Sequence, residues 1–196
     1  MEDIMLSSSV TVAKYRQFVK DKAQSKIADF VLERFTERYI TPLSGNPKTK
    51  HGFCTMAVSC LLIEALESFR QGWPNTDGKS KAAFSSFFSR CSEQGSELGV
   101  FSKHSKDFYI NVRCGILHQA ETTNGWLIHR KGPLFDPAKK IINATKFHKE
   151  LGACLQSYCD KLKCSDWDDE VCKNLRKKMV RVIKNCKPAG PAIASI

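Results

Sequence analysis

The stretch "FCTMAVSCLLIEALESF", residues 53–69, decides the architecture. Its apolar residues, Phe53, Met56, Val58, Leu61, Leu62, Ile63, Leu66 and Phe69, fall nearly all round a helical wheel rather than along one stripe. A helix over 52–71 with that pattern belongs in the centre of a bundle, covered by neighbours. Glu64 interrupts the apolar run, and the uninterrupted part is too short to span a bilayer. A carboxylate placed there needs a partner or must give up its charge.

Working outward, the preceding chain supplies a cover for that helix. In "VTVAKYRQFVKDKAQSKIADFVLERFTERYI", Val12, Tyr15, Phe18, Val19, Ile27, Phe30, Val31 and Phe35 recur at helical spacing. The N-terminal region 2–40 is therefore expected to be a long amphipathic helix, broken near Lys22–Ser25. Pro42, Gly45 and Pro47 end it in a loop. Beyond the central helix, "GWPNTDG" is a turn, and "KSKAAFSSFFSRC" a short helix with Phe84, Phe87 and Phe88 as core anchors. A helix over 102–119 follows, with Phe108, Val112, Ile116 and, at the margin, Leu117 on its buried side, and "TTNG" stops it. The segment 125–143, "GWLIHRKGPLFDPAKKIIN", has short apolar runs on either side of a Gly-Pro turn, which reads as a small β-hairpin or an extended flap. Two more helices, 146–163 and 166–186, complete the core. Ser165 is placed to N-cap the last one, with Asp166, Asp168, Asp169 and Glu170 suiting its positive end. Residues 187–196 form a tail. The expectation is one domain over 1–196: a mainly α helical bundle with a small β-hairpin insertion.

Composition bounds the function. The 196 residues carry 31 Lys and Arg against 20 Asp and Glu, a formal charge of +11, which favours anionic partners. The opening "MEDIMLSSSVTVAKYRQ" has no signal-peptide pattern, so a cytoplasmic protein is expected. Its nine cysteines are scattered without a C-x-x-C pair. Cys154, Cys159 and Cys164 recur every five residues, about 140° apart around a helix, which does not converge on a tetrahedral metal. Reduced thiols used as small core residues are expected, with no metal and no cofactor. The sequon at Asn143 then has no bearing, because glycosylation requires secretion.

Chemistry concentrates in "NVRCGILHQAE", residues 111–121. Arg113 and His118 lie about 140° apart on an ideal helix, so they meet only if the helix end distorts, which Gly115 allows, or if two chains each present a copy. His118 falls in the last turn, where the negative helix terminus favours a protonated imidazole. A histidine that moves protons beside a permanent guanidinium has the composition needed to cleave a phosphodiester. RNA supplies its own nucleophile in the 2′-hydroxyl.

The stretch "RCGILHQAETTNGWLI" resembles a group of bacterial helical proteins in the HEPN superfamily, whose hallmark is R-x(4–6)-H near the end of a core helix. The likeness extends from "TMAVSCLLIEALESF" through the expected hairpin. It implies a small all-α bundle that dimerises so that two motifs meet in a shared cleft. It also implies a metal-independent endoribonuclease of toxin–antitoxin or phage-defence type, or a relative that has lost activity and binds RNA, nucleotide or a partner protein such as an antitoxin. On that resemblance His118 would be general base or acid and Arg113 would stabilise the phosphorane-like transition state. Active members often carry Asn, Asp or His immediately after the arginine, whereas this chain has Cys114. Asn111, seven residues before His118, would share its azimuth and could replace that polar neighbour.

Several residues have two readings. Glu64 either pairs with Arg113 or faces a polar groove. Glu121, three residues after His118, either orients the imidazole or caps the surface. Trp126 either stacks an RNA base or packs the hairpin onto the bundle. On the last helix, Lys173, Arg176, Lys177, Lys178, Arg181 and Lys184 either track RNA phosphates or form a solvated basic face. A membrane surface suits that helix poorly, since its apolar side is needed by the bundle. His104, His129 and His148 read as ordinary.

Overall fold

A computed structural model describes residues 4–44 and 51–186. Gly45 and Pro47 of the first loop, and the expected tail over 187–196, lie outside the described residues. Helix α1 spans Val12–Lys20 and α2 Gln24–Phe35. The break expected between them is present, with Lys22 in the left-handed region at φ 50°. Thr11 caps α1 by accepting from the Lys14 amide at 3.1 Å. Helix α2 runs on into a π turn, Thr36–Ile40, and a 3-10 turn, Thr41–Leu43.

Helix α3, Gly52–Arg70, is the expected centre. Met56, Cys60, Leu62, Ile63 and Leu66 are fully buried. It packs against α4 (Ser80–Glu93), α7 (Ala144–Cys164) and α8 (Glu170–Asn185). At this length α3 could cross a membrane on composition alone, which revises the expectation of shortness; in the fold, 61% of that window is buried inside the protein. The burial is incomplete on one side, where Leu61 stays 46% exposed.

The expected helix over 102–119 is a chain of three geometries. A 3-10 segment, Glu97–His104, leads into a single α turn, α5 (Ser105–Phe108). A π-helical segment, Tyr109–Cys114, follows, and then α6, Gly115–Gln119. Phe108 anchors the junction in an aromatic cluster, stacked on Phe147 at 5.5 Å and edge-on to Phe88 at 5.1 Å.

The expected hairpin is a three-stranded sheet instead. Strands β1 (Leu127–His129), β2 (Phe135–Asp136) and β3 (Ile141–Asn143) lie in the order β1-β3-β2. Only β2 and β3 pair antiparallel, while β1 adds in parallel to the other edge of β3, with Ile128 opposite Ile142. Putting β3 in the middle buries Ile142 completely. Asn143 then ends the sheet and starts α7. Its side chain accepts from the Lys146 amide at 3.1 Å and donates to the Gly132 carbonyl at 3.0 Å. The last boundary also shifts, because Asp169 rather than Ser165 occupies the N-cap position of α8. The Asp169 carboxylate accepts from the Asp166 amide at 3.0 Å, so 166–169 form a turn rather than helix.

Candidate active site

The π segment removes the angular problem posed by the five-residue spacing. In π geometry the backbone bonds run from i to i+5, which carries residues five apart toward one face. Arg113 Nη1 lies 3.3 Å from His118 Nε2. A guanidinium N–H can only donate, so this contact is a hydrogen bond when His118 is neutral with its proton on Nδ1. The two groups therefore meet within one chain. His118 is exposed in the last turn of α6, and Ala120, left-handed at φ 56°, ends the helix just beyond it.

Glu64 pairs with Arg113, as one of its two readings had it. Its Oε1 accepts from Arg113 Nε at 2.8 Å, and both side chains are mostly buried. The second oxygen accepts from Ser80 Oγ at 2.8 Å, so α3 and the start of α4 together fix the carboxylate. Burial opposes the charge on Arg113, but the Glu64 hydrogen bond and charge outweigh it and hold the guanidinium pKa above its ordinary value. Tyr109, four residues before Arg113, presents its ring 5.6 Å from the guanidinium carbon. Burial, followed by the neighbouring Cys114 thiol, raises the Tyr109 hydroxyl pKa, so this phenol stays protonated at neutral pH. Cys114 is half-buried, its sulfur 4.0 Å from Arg113 Nη1, and offers only a weak acceptor.

Three expected supports stand elsewhere. Asn111 is buried and bonded at both ends of its amide: it donates to the Asp107 carbonyl at 3.0 Å and accepts from Thr123 Oγ1 at 2.9 Å. The π turn rotates it off the azimuth of His118, and it pins the returning loop instead. Glu121 folds onto the next residue and accepts from the Thr122 amide at 2.8 Å, which is the surface-capping alternative. Trp126 is buried, stacked on Phe135 at 5.5 Å and edge-on to Phe108, so its ring packs the sheet onto the bundle and presents no face to a base.

The basic face of α8 divides. Lys173, Lys177, Arg181 and Lys184 are exposed. Arg176 is spent on Trp167, whose ring lies 4.0 Å from its guanidinium and whose carbonyl accepts at 2.8 Å. Lys178 is drawn inward toward the Pro74 carbonyl, and burial lowers its pKa. It lines a cavity of about 410 Å³ together with Tyr39, Leu61, Glu64 and Asp77.

Sequence reasoning missed Ser80, Tyr109 and the inward Lys178. Only Tyr109 carried a signal, as an aromatic residue four positions before the arginine. The arrangement joins an exposed imidazole to a guanidinium whose other edge is held by a carboxylate, which suits recognition of a phosphate and transfer of a proton beside it. In comparison with known proteins, the chain matches no family model, no curated protein and no solved structure.

Proposed function

We propose that this chain is a metal-independent endoribonuclease of HEPN type that cuts RNA through its own 2′-hydroxyl and acts as a homodimer. The carrying observation is the 3.3 Å approach of Arg113 Nη1 to His118 Nε2 on an exposed helix end. As the Arg113 Nη1 proton turns from His118 to the phosphate, the freed Nε2 of neutral His118 removes the 2′-hydroxyl proton, and that oxygen attacks phosphorus. The bond to the 5′-oxygen breaks and that oxygen takes up a proton from water, which is restored by the proton that His118 now carries. Arg113 stabilises the charge gathering on the non-bridging oxygens, and Glu64 and Tyr109 keep its guanidinium aimed at them. The products carry 2′,3′-cyclic phosphate and 5′-hydroxyl ends.

Exposed apolar residues beside the pair support the dimer. Leu117, expected at the margin of the buried side, adjoins His118 and is 37% exposed, and Leu61, also exposed, precedes Glu64 by one turn. Leu61→Glu and Leu117→Glu would therefore yield monomers of unchanged helicity by light scattering.

The test is a mixed RNA pool incubated in EDTA with wild type, Arg113→Ala and His118→Ala. Cleavage by wild type alone, leaving cyclic phosphate ends, is the expected result, with losses of about 10²–10⁴-fold in the variants. A specific observation also favours a second reading, a HEPN module that binds RNA or a partner protein without cutting. Cys114 replaces the usual polar neighbour, and Glu64 already offsets the guanidinium charge. RNA that stays intact while binding persists would select that reading.

A further inference from the structure

Away from this site, α4 and α7 bring two thiols together. Cys91 Sγ lies 3.7 Å from Cys154 Sγ, and both residues are buried. Ser96 Oγ sits 3.5 Å from the Cys154 sulfur. That hydroxyl oxygen already accepts from the Leu98 amide at 3.3 Å, which leaves its proton free to point at sulfur. Arg70 reaches the Cys154 carbonyl at 3.5 Å and stacks over Tyr158 at 4.5 Å, bringing a buried cation close to the pair.

These neighbours make the two sulfurs unequal. The Cys91 hydrogen bond lowers the Cys154 pKa most. Burial opposes it, and Ser96 and Arg70 add to it, while Glu150 acts against them, with the net effect a fall. Either sulfur can donate across the 3.7 Å contact; with the proton on Cys91, that hydrogen bond and burial raise its pKa. A cavity of about 500 Å³ lies on the far side of Arg70 and Arg90, its rim carrying Lys161 and the acids Glu93, Asp169 and Glu170 as well; neither cysteine lines it. Arg70 touches the Cys154 carbonyl and Arg90 is the chain neighbour of Cys91, so a small oxidant entering from that cavity reaches the pair when those two side chains move aside.

We propose that Cys91 and Cys154 form a redox-active dithiol that reacts with hydroperoxides, Cys154 as the attacking thiol and Cys91 as the resolving one. The Cys154 thiolate attacks one peroxide oxygen, the O–O bond breaks, and sulfur gains a hydroxyl as sulfenic acid. The departing oxygen takes a proton and leaves as water, or as an alcohol from an organic peroxide. The Cys91 sulfur then attacks the Cys154 sulfur, the S–S bond forms, and the S–O bond breaks. The released hydroxide takes the Cys91 proton and leaves as water. Two electrons pass from two thiols to one peroxide. The sulfurs need only close from 3.7 Å to about 2.05 Å, a movement that side-chain rotation and a small helix shift can share.

The test uses the reduced full-length chain, titrated with hydrogen peroxide, alkylated and mapped by mass spectrometry without reduction. A linked Cys91–Cys154 peptide is expected at roughly tenfold less peroxide than any oxidation of Cys54 and Cys164, the exposed thiols that serve as internal controls. Cys91→Ser, a near-isosteric change verified by circular dichroism, is expected to stop at a Cys154 sulfenic acid trapped by dimedone. Oxidation of Cys54 or Cys164 first, or a Cys154 in Cys91→Ser that reacts no faster than Cys54, would overturn the proposal.

Discussion

A Cβ added to Gly115 would stand 2.5 Å from the carbonyl oxygen of Glu121, closer than such atoms approach. The glycine is there because the chain folds straight back over it after the left-handed Ala120, not because the helix must be soft. The amides of Ala120 and Glu121 both return to the Gly115 carbonyl, the latter at 3.4 Å. Gly115→Ala must therefore push the returning loop outward and loosen the end of α6 that carries His118. A loss of about 1–3 kcal/mol is expected in urea unfolding, with a weaker Arg113–His118 contact. An unchanged unfolding midpoint would mean that the loop yields without cost.

Glu64→Gln keeps the shape of the carboxylate and removes its charge. Arg113 would then donate to a neutral amide oxygen, and the pair is largely out of water. A cost of about 1–3 kcal/mol is expected, whereas Ser80→Ala, which removes only a neutral donor to the other oxygen, should cost about 0.5–1.5 kcal/mol. Thermal melts of the two variants and their double check the ranking. Because both act on one carboxylate, their effects should fall short of additive.

Trp126→Ala separates packing from base stacking. The indole fills the space between Phe135 and Phe108, so its removal should cost about 3–5 kcal/mol. If Trp126 served RNA instead, the variant would keep its melting temperature and lose affinity for single strands.

The bundle was legible because α3 is apolar on all sides and its neighbours on one, a contrast that periodicity reads directly. The site was legible as residue types, Arg113, His118 and Glu64, but not as geometry. Helical-wheel reasoning assumes 3.6 residues per turn, and the π segment breaks that assumption across the residues that matter. The same fault put Asn111 beside His118, when its side chain is turned to Thr123. Ser80 was invisible because its role arises from the packing of α4 on α3. The parallel pairing of β1 with β3 was hidden as well, since the Gly-Pro turn between the apolar runs describes a hairpin equally well.

His148 gives the fold a dependence on acidity. Its Nδ1 lies 3.1 Å from Ser59 Oγ, and burial lowers its pKa below the ordinary imidazole value. The unfolded chain therefore binds the proton more readily than the folded one. The stabilising share of neutral His148 is present above the unfolded value of about 6.5 and is lost as pH falls through the lower folded value. Glu67 acts in the opposite sense, because its burial outweighs Arg90 and Arg70 and raises its pKa, so folding favours its protonation. His148→Gln isolates the histidine's part: melting temperatures between pH 7.5 and pH 5 should fall for wild type and fall less for the variant. The slope attributable to one histidine is at most about 1.4 kcal/mol per pH unit. Parallel curves would show that His148 accepts its proton without disturbing the fold.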